Sequence, residues 1–282
     1  MLSTLSLDKI LNDIDAIPAM PITITRALQI INSPDVGPKE LADVIVEDQN
    51  ITATLLKYSN SALYGLSRKI STVSEAVVLL GFSTVKSILL ASAVGRVMDK
   101  NFPGYALERG ELWRHSLTVA LVSKTIAKKV KYPQIEQAFV AGLIHDIGKV
   151  ILHSHVSDKY EEIVKVVENE QISFMNAEKR LLDYSHAEVG AMLAEKWNFP
   201  SDLVESIAFH HSPLSDGVTS YLPAIIHVAD TIALMLGIGI GSDGLLYIFE
   251  EDVMEKIGLT EKDIELIIAE FDPNIGKELL TL

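Results

Sequence analysis

The first hundred residues alternate between mostly apolar stretches and breaks that contain proline or glycine, and this pattern predicts a series of short helices. Pro18 and Pro21 interrupt the chain after an opening helix. Residues 34–38, which read PDVGP, predict a turn before a helix that begins near Lys39. The composition agrees, since Leu, Ile, Val and Ala dominate and only 6% of residues are aromatic. We therefore predict an all-α fold.

A pair of helices is predicted on either side of Gly81. Thr72 and Glu75 have the spacing of a capping box before the first helix. Gly81 ends that helix in this interpretation, and Ser83 caps the next. Val, Leu and Ile occupy positions 77–80 and 88–90 of these helices, which leaves few positions free to read DNA bases. We predict that the pair packs in the core and does not enter a DNA groove.

Residues 136–152, which read EQAFVAGLIHDIGKVIL, predict one apolar helix that carries His145 and Asp146 side by side. Neighbouring side chains on a helix point about 100° apart, so one ion above the groove between them could take a nitrogen and an oxygen together. Gly148 allows a close approach, and Lys149 places a cation one turn away. The alternative for this pair alone is an ordinary core histidine beside an aspartate at a helix break.

The distribution of histidines directs attention to the second part of the chain. All eight lie between His115 and His227, although even scatter would have placed some in the first 114 residues. Asp230 lies within the apolar stretch 225–233, where an unpaired carboxylate is expensive to desolvate. A bound cation would offset that cost, so we predict that the site chemistry lies here.

Two further histidine positions fit the same site. His115 heads another apolar helix, with Glu111 four residues earlier on the same face. His210 and His211 form a tandem pair just before a Ser-Pro sequence. Because the chain contains no cysteine, any metal site must use His, Asp or Glu as ligands.

The order His115, His145-Asp146 and Asp230 resembles the H…HD…D signature of the HD-superfamily phosphohydrolases. Wider stretches resemble the HDOD family, which occurs as a bacterial signalling output module and is related to the HD-GYP proteins. The likeness covers roughly residues 17–236, and the stretches that carry it are 56–62, 79–81, 112–116, 141–149, 186–190, 197–200 and 210–211.

The resemblance implies an all-α fold in which an N-terminal helical lobe packs on an HD-type helical core. We predict the lobe over residues 1–102 and the metal-site core over residues 103–237. Accessory helices are predicted over residues 238–282, with an acidic helix around Glu250, Glu251 and Asp252. A last helix is predicted to begin near Thr260, where Thr260 and Asp263 have the spacing of a capping motif.

The resemblance also implies a ligand set for one or two divalent ions. The core ligands are His115, His145, Asp146 and Asp230, and the ligands of a second ion are His186 and His210. Glu111 and His211 are weaker candidates for a third position. Helix capping is the alternative for His186. We interpret His153 and His155 as surface or capping residues, and His227 as a core histidine or one that supports the site.

Two ions would let Asp146 bridge them, and a water between them would be acidic enough to attack phosphorus. Lys149 either stabilises the developing negative charge or is a solvated lysine at a helix end. We assign the catalytic roles to Asp146 and Lys149. Nitrogen and oxygen ligands make iron, manganese, zinc or nickel the expected metals.

Charge and hydropathy restrict the partners. A net charge of −14 opposes binding to nucleic acid. The chain opens without a secretion signal, and polar residues interrupt the apolar stretches 76–98 and 222–241. We therefore expect a cytoplasmic protein without a membrane span. Its partners would be signalling proteins or a nucleotide or phosphoester ligand, and the oligomeric state stays open.

These observations predict a bacterial signal-transduction HDOD protein that hydrolyses a nucleotide or phosphoester with the help of metal. The residues after His210 and His211 read SPLSDGVTSYLP and lack the G-Y-P signature that accompanies cyclic di-GMP hydrolysis, so that activity is not assigned. The alternative is a catalytically inactive regulatory or scaffold module that binds protein partners. Whether the chain is an enzyme is open at this point.

Overall fold

The computed structural model describes residues 6–33, 36–61, 63–66, 68–242, 244 and 246–272. Within these ranges the chain forms helices and no β-strand, which confirms the predicted all-α fold. The helices are α1 (Leu7–Ala16), α2 (Ile22–Ile31), α3 (Pro38–Ile45), α4 (Gln49–Ser59), α5 (Val73–Met98), α6 (Glu111–Lys129), α7 (Ile135–Ile144), α8 (Lys149–Asp158), α9 (Tyr160–Glu170), α10 (Phe174–Leu182), α11 (His186–Lys196), α12 (Ser201–Phe209), α13 (Leu222–Met235), α14 (Asp252–Ile257) and α15 (Glu261–Glu270). A 3₁₀ turn, Pro103–Tyr105, links α5 to α6.

The described residues divide into two compact units. One contains α1 and the residues Val97–Phe271, and the other contains Ala19–Arg96 together with Asp272. The predicted turn at residues 34–38 falls partly outside the described residues, as do the ends of the predicted N-terminal lobe and C-terminal accessory region.

The unit Ala19–Arg96 is built from α2, α3, α4 and most of α5. Gly81 adopts φ 78° and ψ 164°, a conformation that glycine reaches without a Cβ clash, and it breaks α5 where the sequence predicted a break. The Thr72 hydroxyl accepts the backbone N–H of Glu75, which confirms the predicted cap. Most of the predicted core positions are buried, but Val78 and Leu79 are exposed, so core packing was predicted too broadly there.

The same helix is the one helix of the described residues that is long and apolar enough to cross a membrane. Length and composition alone are weak evidence for a span, because the core helix of a soluble protein meets the same criteria. The kink at Gly81 interrupts it, and Ile88 to Leu90 are buried within the protein.

The second unit is centred on α6, which is buried along most of its length and packs against α7 and α13. Helix α11 packs on α12 and on α8. Helix α1 packs on α8, where the Nε2 of His155 lies 2.7 Å from Oδ2 of Asp13. This arrangement brings the beginning of α6, the α7–α8 turn, the beginning of α11 and the end of α12 around α13.

The single helix predicted over residues 136–152 is wrong. Helix α7 ends at Ile144, residues 145–148 form turns, and α8 begins at Lys149. At the turn the backbone of Gly148 passes so close to α11 that a Cβ there would lie 1.8 Å from the carbonyl oxygen of His186. Two helices that meet at this break therefore present His145 and Asp146 from a turn.

The histidines of α8 and the bounds of the last two helices can also be compared with their predictions. His155 was interpreted as a surface or capping residue but is buried in α8, and His153 in the same helix packs edge-on against Phe102. The acidic helix is shorter than predicted, since Glu250 precedes it and α14 begins at Asp252. The last helix begins just after Thr260 with a reciprocal capping box, as predicted.

Candidate metal centre

Six side chains that the sequence singled out lie together in the second unit. His115 comes from the first turns of α6, His145 and Asp146 from the α7–α8 turn, His186 from the start of α11, His210 from the end of α12, and Asp230 from α13. None of the six is more than 3% exposed. Five separate chain segments thus contribute to one buried polar cluster, which we call the histidine–aspartate centre.

Asp146 lies in the middle of this centre, and its two oxygens face different histidines. Its Oδ2 is 3.3 Å from Nε2 of His145 and 3.7 Å from Nε2 of His115. Its Oδ1 is 3.4 Å from Nε2 of His186 and 3.9 Å from Nε2 of His210. A carboxylate with ligand atoms gathered at each oxygen has the arrangement that a bridging ligand requires.

Asp230 faces the first of these two sides. Its Oδ1 lies 3.0 Å from Nε2 of His115 and 3.9 Å from Nε2 of His145. Two sets of three side chains in the described residues have ligand atoms that all lie within 4.8 Å of one another. The first set is His115, His145 and Asp146, and the second is His186, His210 and His211.

The Nδ1 atom of each of the four histidines of the centre donates to an acceptor outside the centre. Backbone carbonyl oxygens accept from three of them: Ile238 from His115 at 3.0 Å, Gly142 from His145 at 2.8 Å and Ile207 from His210 at 2.8 Å. The carboxylate of Glu178 accepts from Nδ1 of His186 at 2.7 Å. With Nδ1 donating, each Nε2 presents its lone pair to the centre, as metal-bound histidines do.

Two of the Nε2 atoms indicate that a metal ion fits the centre, because they lack a hydrogen-bond partner in the described part of the chain. The Nε2 atoms of His145 and His210 are buried and have no hydrogen-bond partner among the described residues. Leaving a buried polar atom unsatisfied costs about 1–3 kcal/mol, and both atoms face carboxylate oxygens that also lack a proton to offer. A divalent cation satisfies both kinds of atom at once, so the residues present fit a metal.

The carboxylates of the centre are held in the ionised form. Burial raises the pKa of Asp146, but the neighbouring His145 and Lys149 outweigh burial, so its net pKa lies well below the usual value. Burial also raises the pKa of Asp230, but the hydrogen bond and the charge of His115 outweigh burial, so the net pKa of Asp230 lies below its usual value. Both groups therefore carry negative charge, which is the form that binds metal.

The histidines divide into two groups by pKa. Burial holds the pKa of His210 and that of His211 well below the usual value, so both rings are neutral. Burial lowers the pKa of His115 and that of His186 as well, but in each case a carboxylate outweighs burial and the net pKa lies above the usual value. The carboxylate is Asp230 for His115 and Glu178 for His186. Before metal binds, a proton on either ring is thus stabilised by a carboxylate.

Lys149 is buried and its Nζ lies 2.6 Å from Oδ2 of Asp146, so its interpretation as a solvated lysine is wrong. The ammonium also lies 5.5 Å from the centre of the Tyr105 ring. Asp146 lies in the turn that precedes α8 and Lys149 begins that helix, so the two side chains are three residues apart and meet. The centre therefore contains a fixed positive charge of its own.

The two weaker ligand candidates have different positions. His211 lies beside the centre, with its Nε2 3.0 Å from Nε2 of His186. The carboxylate of Glu111 accepts the backbone N–H of Glu108 at 2.7 Å at the start of α6, and Glu111 belongs to neither set of three within the described residues. Ser185, in a capping box with Glu188, caps α11, which leaves the His186 side chain free to face the centre.

His227 is a buried histidine that supports the centre. Its Nδ1–H donates to the backbone carbonyl oxygen of His210 at 2.8 Å, and its Nε2 accepts the backbone N–H of Glu250 at 3.2 Å. The ring stacks against Tyr247 and Phe249. Burial lowers its pKa, in agreement with the neutral ring that these two bonds require.

Three further residues of the site were not predicted from the sequence: Glu178, Tyr105 and Tyr247. Glu178 is fully buried in α10 and accepts hydrogen bonds from the backbone N–H and Nδ1 of His186 and from the Tyr105 hydroxyl. Burial and then the charge of Asp230 raise the pKa of Tyr247 well above its usual value, so its hydroxyl keeps its proton. The one available signal was a glutamate in a helix that follows apolar residues, which is too common to be specific.

The fold and the site together define an all-α protein with two adjoining sets of side chains that could hold a metal ion. Residues 17–213 match the model of the HDOD domain. The match covers more than half of the chain, so this chain belongs to the HDOD family, as its motifs predicted.

Three known proteins show how far the similarity extends. A crystal structure of an HDOD domain protein from Geobacter sulfurreducens is 28% identical with a TM-score of 0.73, covering 96% of this chain and 94% of that one. A predicted phosphohydrolase from Shewanella amazonensis is 26% identical with a TM-score of 0.74, covering 96% and 97%. An uncharacterized protein of Treponema pallidum is 29% identical over 217 residues, which are 77% of this chain and 41% of that protein. The chain therefore spans less than half the length of this relative.

Proposed function

We propose that this HDOD protein is a metal-dependent phosphohydrolase that acts on a nucleotide or another phosphoester in bacterial signalling, in the cytoplasm. The observation that carries the proposal is the position of Asp146, whose two oxygens each face a different pair of histidine Nε2 atoms. The similarity to a predicted phosphohydrolase supports the reaction class.

The first ion would be held by His115, His145, Asp146 and Asp230, and a second by Asp146, His186 and His210, with His211 next to them. When bound, such ions supply an acidified water and neutralise charge on the phosphoryl oxygens. Iron, manganese, zinc or nickel suits this set of imidazoles and carboxylates.

The chain's own residues supply orientation and charge. The backbone acceptors of the Nδ1 atoms fix the imidazole rings before any ligand arrives, which removes the cost of ordering them on binding. Lys149 places its ammonium 2.6 Å from Asp146 and thus adds positive charge where a phosphoryl group gains negative charge. Glu178 keeps the lone pair of His186 Nε2 directed inward.

The decisive experiment measures metal content and hydrolysis on the same preparations. We expect the purified wild-type chain to contain tightly bound transition metal by mass spectrometry and to hydrolyse bis(p-nitrophenyl) phosphate with added Mn²⁺ or Fe²⁺. Asp146→Asn should lose both, because the replacement removes the negative charge and one of the two oxygens that face the two sides of the centre.

Asp158→Asn is a matched control, since Asp158 is an exposed aspartate at the end of α8. It should behave as the wild type does. A wild-type chain without metal, whose Asp146→Asn variant melts at the same temperature, would contradict the metal centre. Bound metal without turnover of any phosphoester in a nucleotide and phosphodiester panel would contradict the hydrolase and favour a scaffold stabilised by metal.

A further inference from the structure

A cavity of about 190 Å³ adjoins the histidine–aspartate centre. Its walls include His211 and Tyr247 on the side of the centre, Ser173 and Asn176 from the beginning of α10, and the segment from Leu246 to Glu250. His211 connects the two spaces, because its Nε2 lies 3.0 Å from that of His186. A group bound in this cavity would therefore be close enough to belong to the same ligand as a group at the metal centre.

The volume restricts what the cavity can hold. Clefts for drug-sized ligands measure roughly 300–1,000 Å³, so this cavity fits one ring system and not a whole ligand. The side chains of Met175, Leu246 and Ile248 give it apolar walls. Such walls suit the faces of a flat ring, and the polar groups at its margin suit a ring with a polar edge.

Glu250 gives the cavity a specific chemical requirement. Its Oε2 is buried and has no hydrogen-bond partner among the described residues. The backbone of Glu250 is fixed, because its N–H donates to Nε2 of His227, whose Nδ1–H in turn donates to the carbonyl oxygen of His210. The backbone of Glu250 is thus anchored beside the cavity, and its buried carboxylate oxygen needs a donor that the described chain does not supply.

A neutral amino group on a ring meets this requirement better than an ammonium ion does. A single carboxylate repays only part of the desolvation of a full positive charge. An exocyclic amino group needs little desolvation and forms a charge-assisted hydrogen bond with a carboxylate, as cytosine N4 does with Glu or Asp. Cytosine and adenine carry such a group at the edge of a flat ring, whereas uracil presents a carbonyl oxygen at the same place.

We propose that this cavity binds the base of a nucleoside phosphate and that Glu250 selects bases with an exocyclic amino group. The proposal deepens the proposed function and rests on its metal centre, which would hold the phosphoryl group of the same ligand. The carboxylate of Glu250 accepts from the amino group and repels the carbonyl oxygen of uracil.

The test is calorimetric binding of matched nucleotides to the metal-loaded full chain. In the first pair, cytidine 5′-monophosphate carries an amino group where uridine 5′-monophosphate carries a carbonyl oxygen. In the second pair, adenosine 5′-monophosphate carries an amino group where purine riboside 5′-monophosphate carries a hydrogen atom. We expect the amino member of each pair to bind about tenfold more tightly or better, since a mismatch leaves a buried carboxylate oxygen unpaired. Equal affinities within both pairs would overturn the proposal, as would the absence of any nucleotide binding.

The variant Glu250→Gln provides a second, sharper readout. Its amide nitrogen can donate to uracil O4, so the preference for cytidine over uridine monophosphate should vanish or reverse. Glu251→Gln is the matched control, because Glu251 is the neighbouring glutamate, is exposed and is not among the residues that line the cavity. A preference that persists unchanged in Glu250→Gln would overturn the role of this carboxylate. If that variant does not fold, the wild-type pairs decide alone.

Failure here is distinguishable from failure of the proposed function. Bis(p-nitrophenyl) phosphate has no nucleobase, so its hydrolysis reports the metal centre independently of the cavity. Hydrolysis without any nucleotide preference would retain the phosphohydrolase and reject the base site. Nucleotide preference without hydrolysis of any phosphoester would retain the base site and reject catalysis.

Discussion

The carboxylate of Glu178 accepts the Nδ1 hydrogen of His186 at 2.7 Å, and both side chains are fully buried. Such a pair fixes the ring and makes its other nitrogen a stronger ligand. We therefore expect Glu178→Gln to weaken binding at the second metal position by about 10–100-fold. Competition with a chelator would measure this.

The exposed Glu168 of α9 offers a control for that change, since Glu168→Gln removes the same charge outside the centre. Equal metal affinity of Glu178→Gln and Glu168→Gln would show that Glu178 serves only the packing of α10. Loss of affinity without a large drop in melting temperature would separate the effect on the ligand from a general loss of stability.

Removal of the buried ammonium should make the metal-free protein less stable. Lys149→Met leaves Asp146 without its nearest cation, and breaking a buried ion pair costs about 3–5 kcal/mol. Because several imidazoles also face Asp146, we expect a loss near the lower end of that range in chelator. Urea unfolding would measure it, with Lys165→Met on the exposed face of α9 as the control.

Added metal should stabilise Lys149→Met more than it stabilises the wild type. The ion would replace the missing positive charge in the variant, whereas in the wild type it competes with the ammonium for Asp146 Oδ2. Hydrolysis by the variant should nevertheless stay low, because the charge opposite the phosphoryl group is gone. Equal metal-induced shifts in melting temperature would argue against this competition.

The contact between α8 and α11 should not tolerate a methyl group. In Gly148→Ala the new Cβ would lie 1.8 Å from the carbonyl oxygen of His186 and 2.7 Å from the backbone nitrogen of Gly190. Backbone must then move, so we expect a loss of about 1–3 kcal/mol or more and weaker metal binding at His186.

Thermal unfolding and metal titration would test this, with Gly37→Ala as the matched control. A Cβ at Gly37 meets chiefly the flexible end of the Glu40 side chain, so it forces no backbone movement there, and only the lower preference for Ala than for Gly at a helix N-cap acts against it. Similar melting temperatures for Gly148→Ala and the wild type would contradict the close approach of the two helices.

The cap of α15 should give a pH-dependent contribution to stability. Hydrogen bonds from Lys129 and Thr260 lower the pKa of Asp263 to about 2 from its ordinary 3.8. Because the folded-state pKa is the lower one, the stabilisation is complete above about pH 4 and is lost as the pH falls toward about 2.

The stability difference between the wild type and Asp263→Asn should accordingly be largest at neutral pH and shrink over that interval. Denaturant titrations at several pH values would measure it, and Glu265→Gln on the exposed side of α15 should show no such trend. A constant difference between the wild type and Asp263→Asn would mean that the charge of Asp263 does not contribute.

Several features of the fold could be predicted because they depend on neighbours in the sequence. The break at Gly81 and the capping box at Thr260 and Asp263 are local, since backbone conformation and hydrogen bonds within four residues decide them. The assignment to the HDOD family and the grouping of His115, His145, Asp146, His186, His210 and Asp230 followed from motifs along the chain.

The single helix predicted over residues 136–152 is wrong because local sequence patterns do not indicate its break. Its apolar composition predicts a continuous helix, and no residue in the segment indicates a break strongly enough to overrule that pattern. The turn at residues 145–148 reflects the close passage of Gly148 against α11, a contact across about forty residues of chain. Sequence periodicity carries no record of such a contact.

By itself, the sequence determined the helical class, the local caps and breaks, and which residue types could bind a metal, because short-range sterics and side-chain chemistry decide these. Only the tertiary structure decided that Lys149 is buried against Asp146, that Glu178 supports His186, and that His227 links His210 to Glu250. The burial of Lys149 and the contacts of Glu178 and His227 depend on how the helices pack, and a buried polar group without its partner costs free energy.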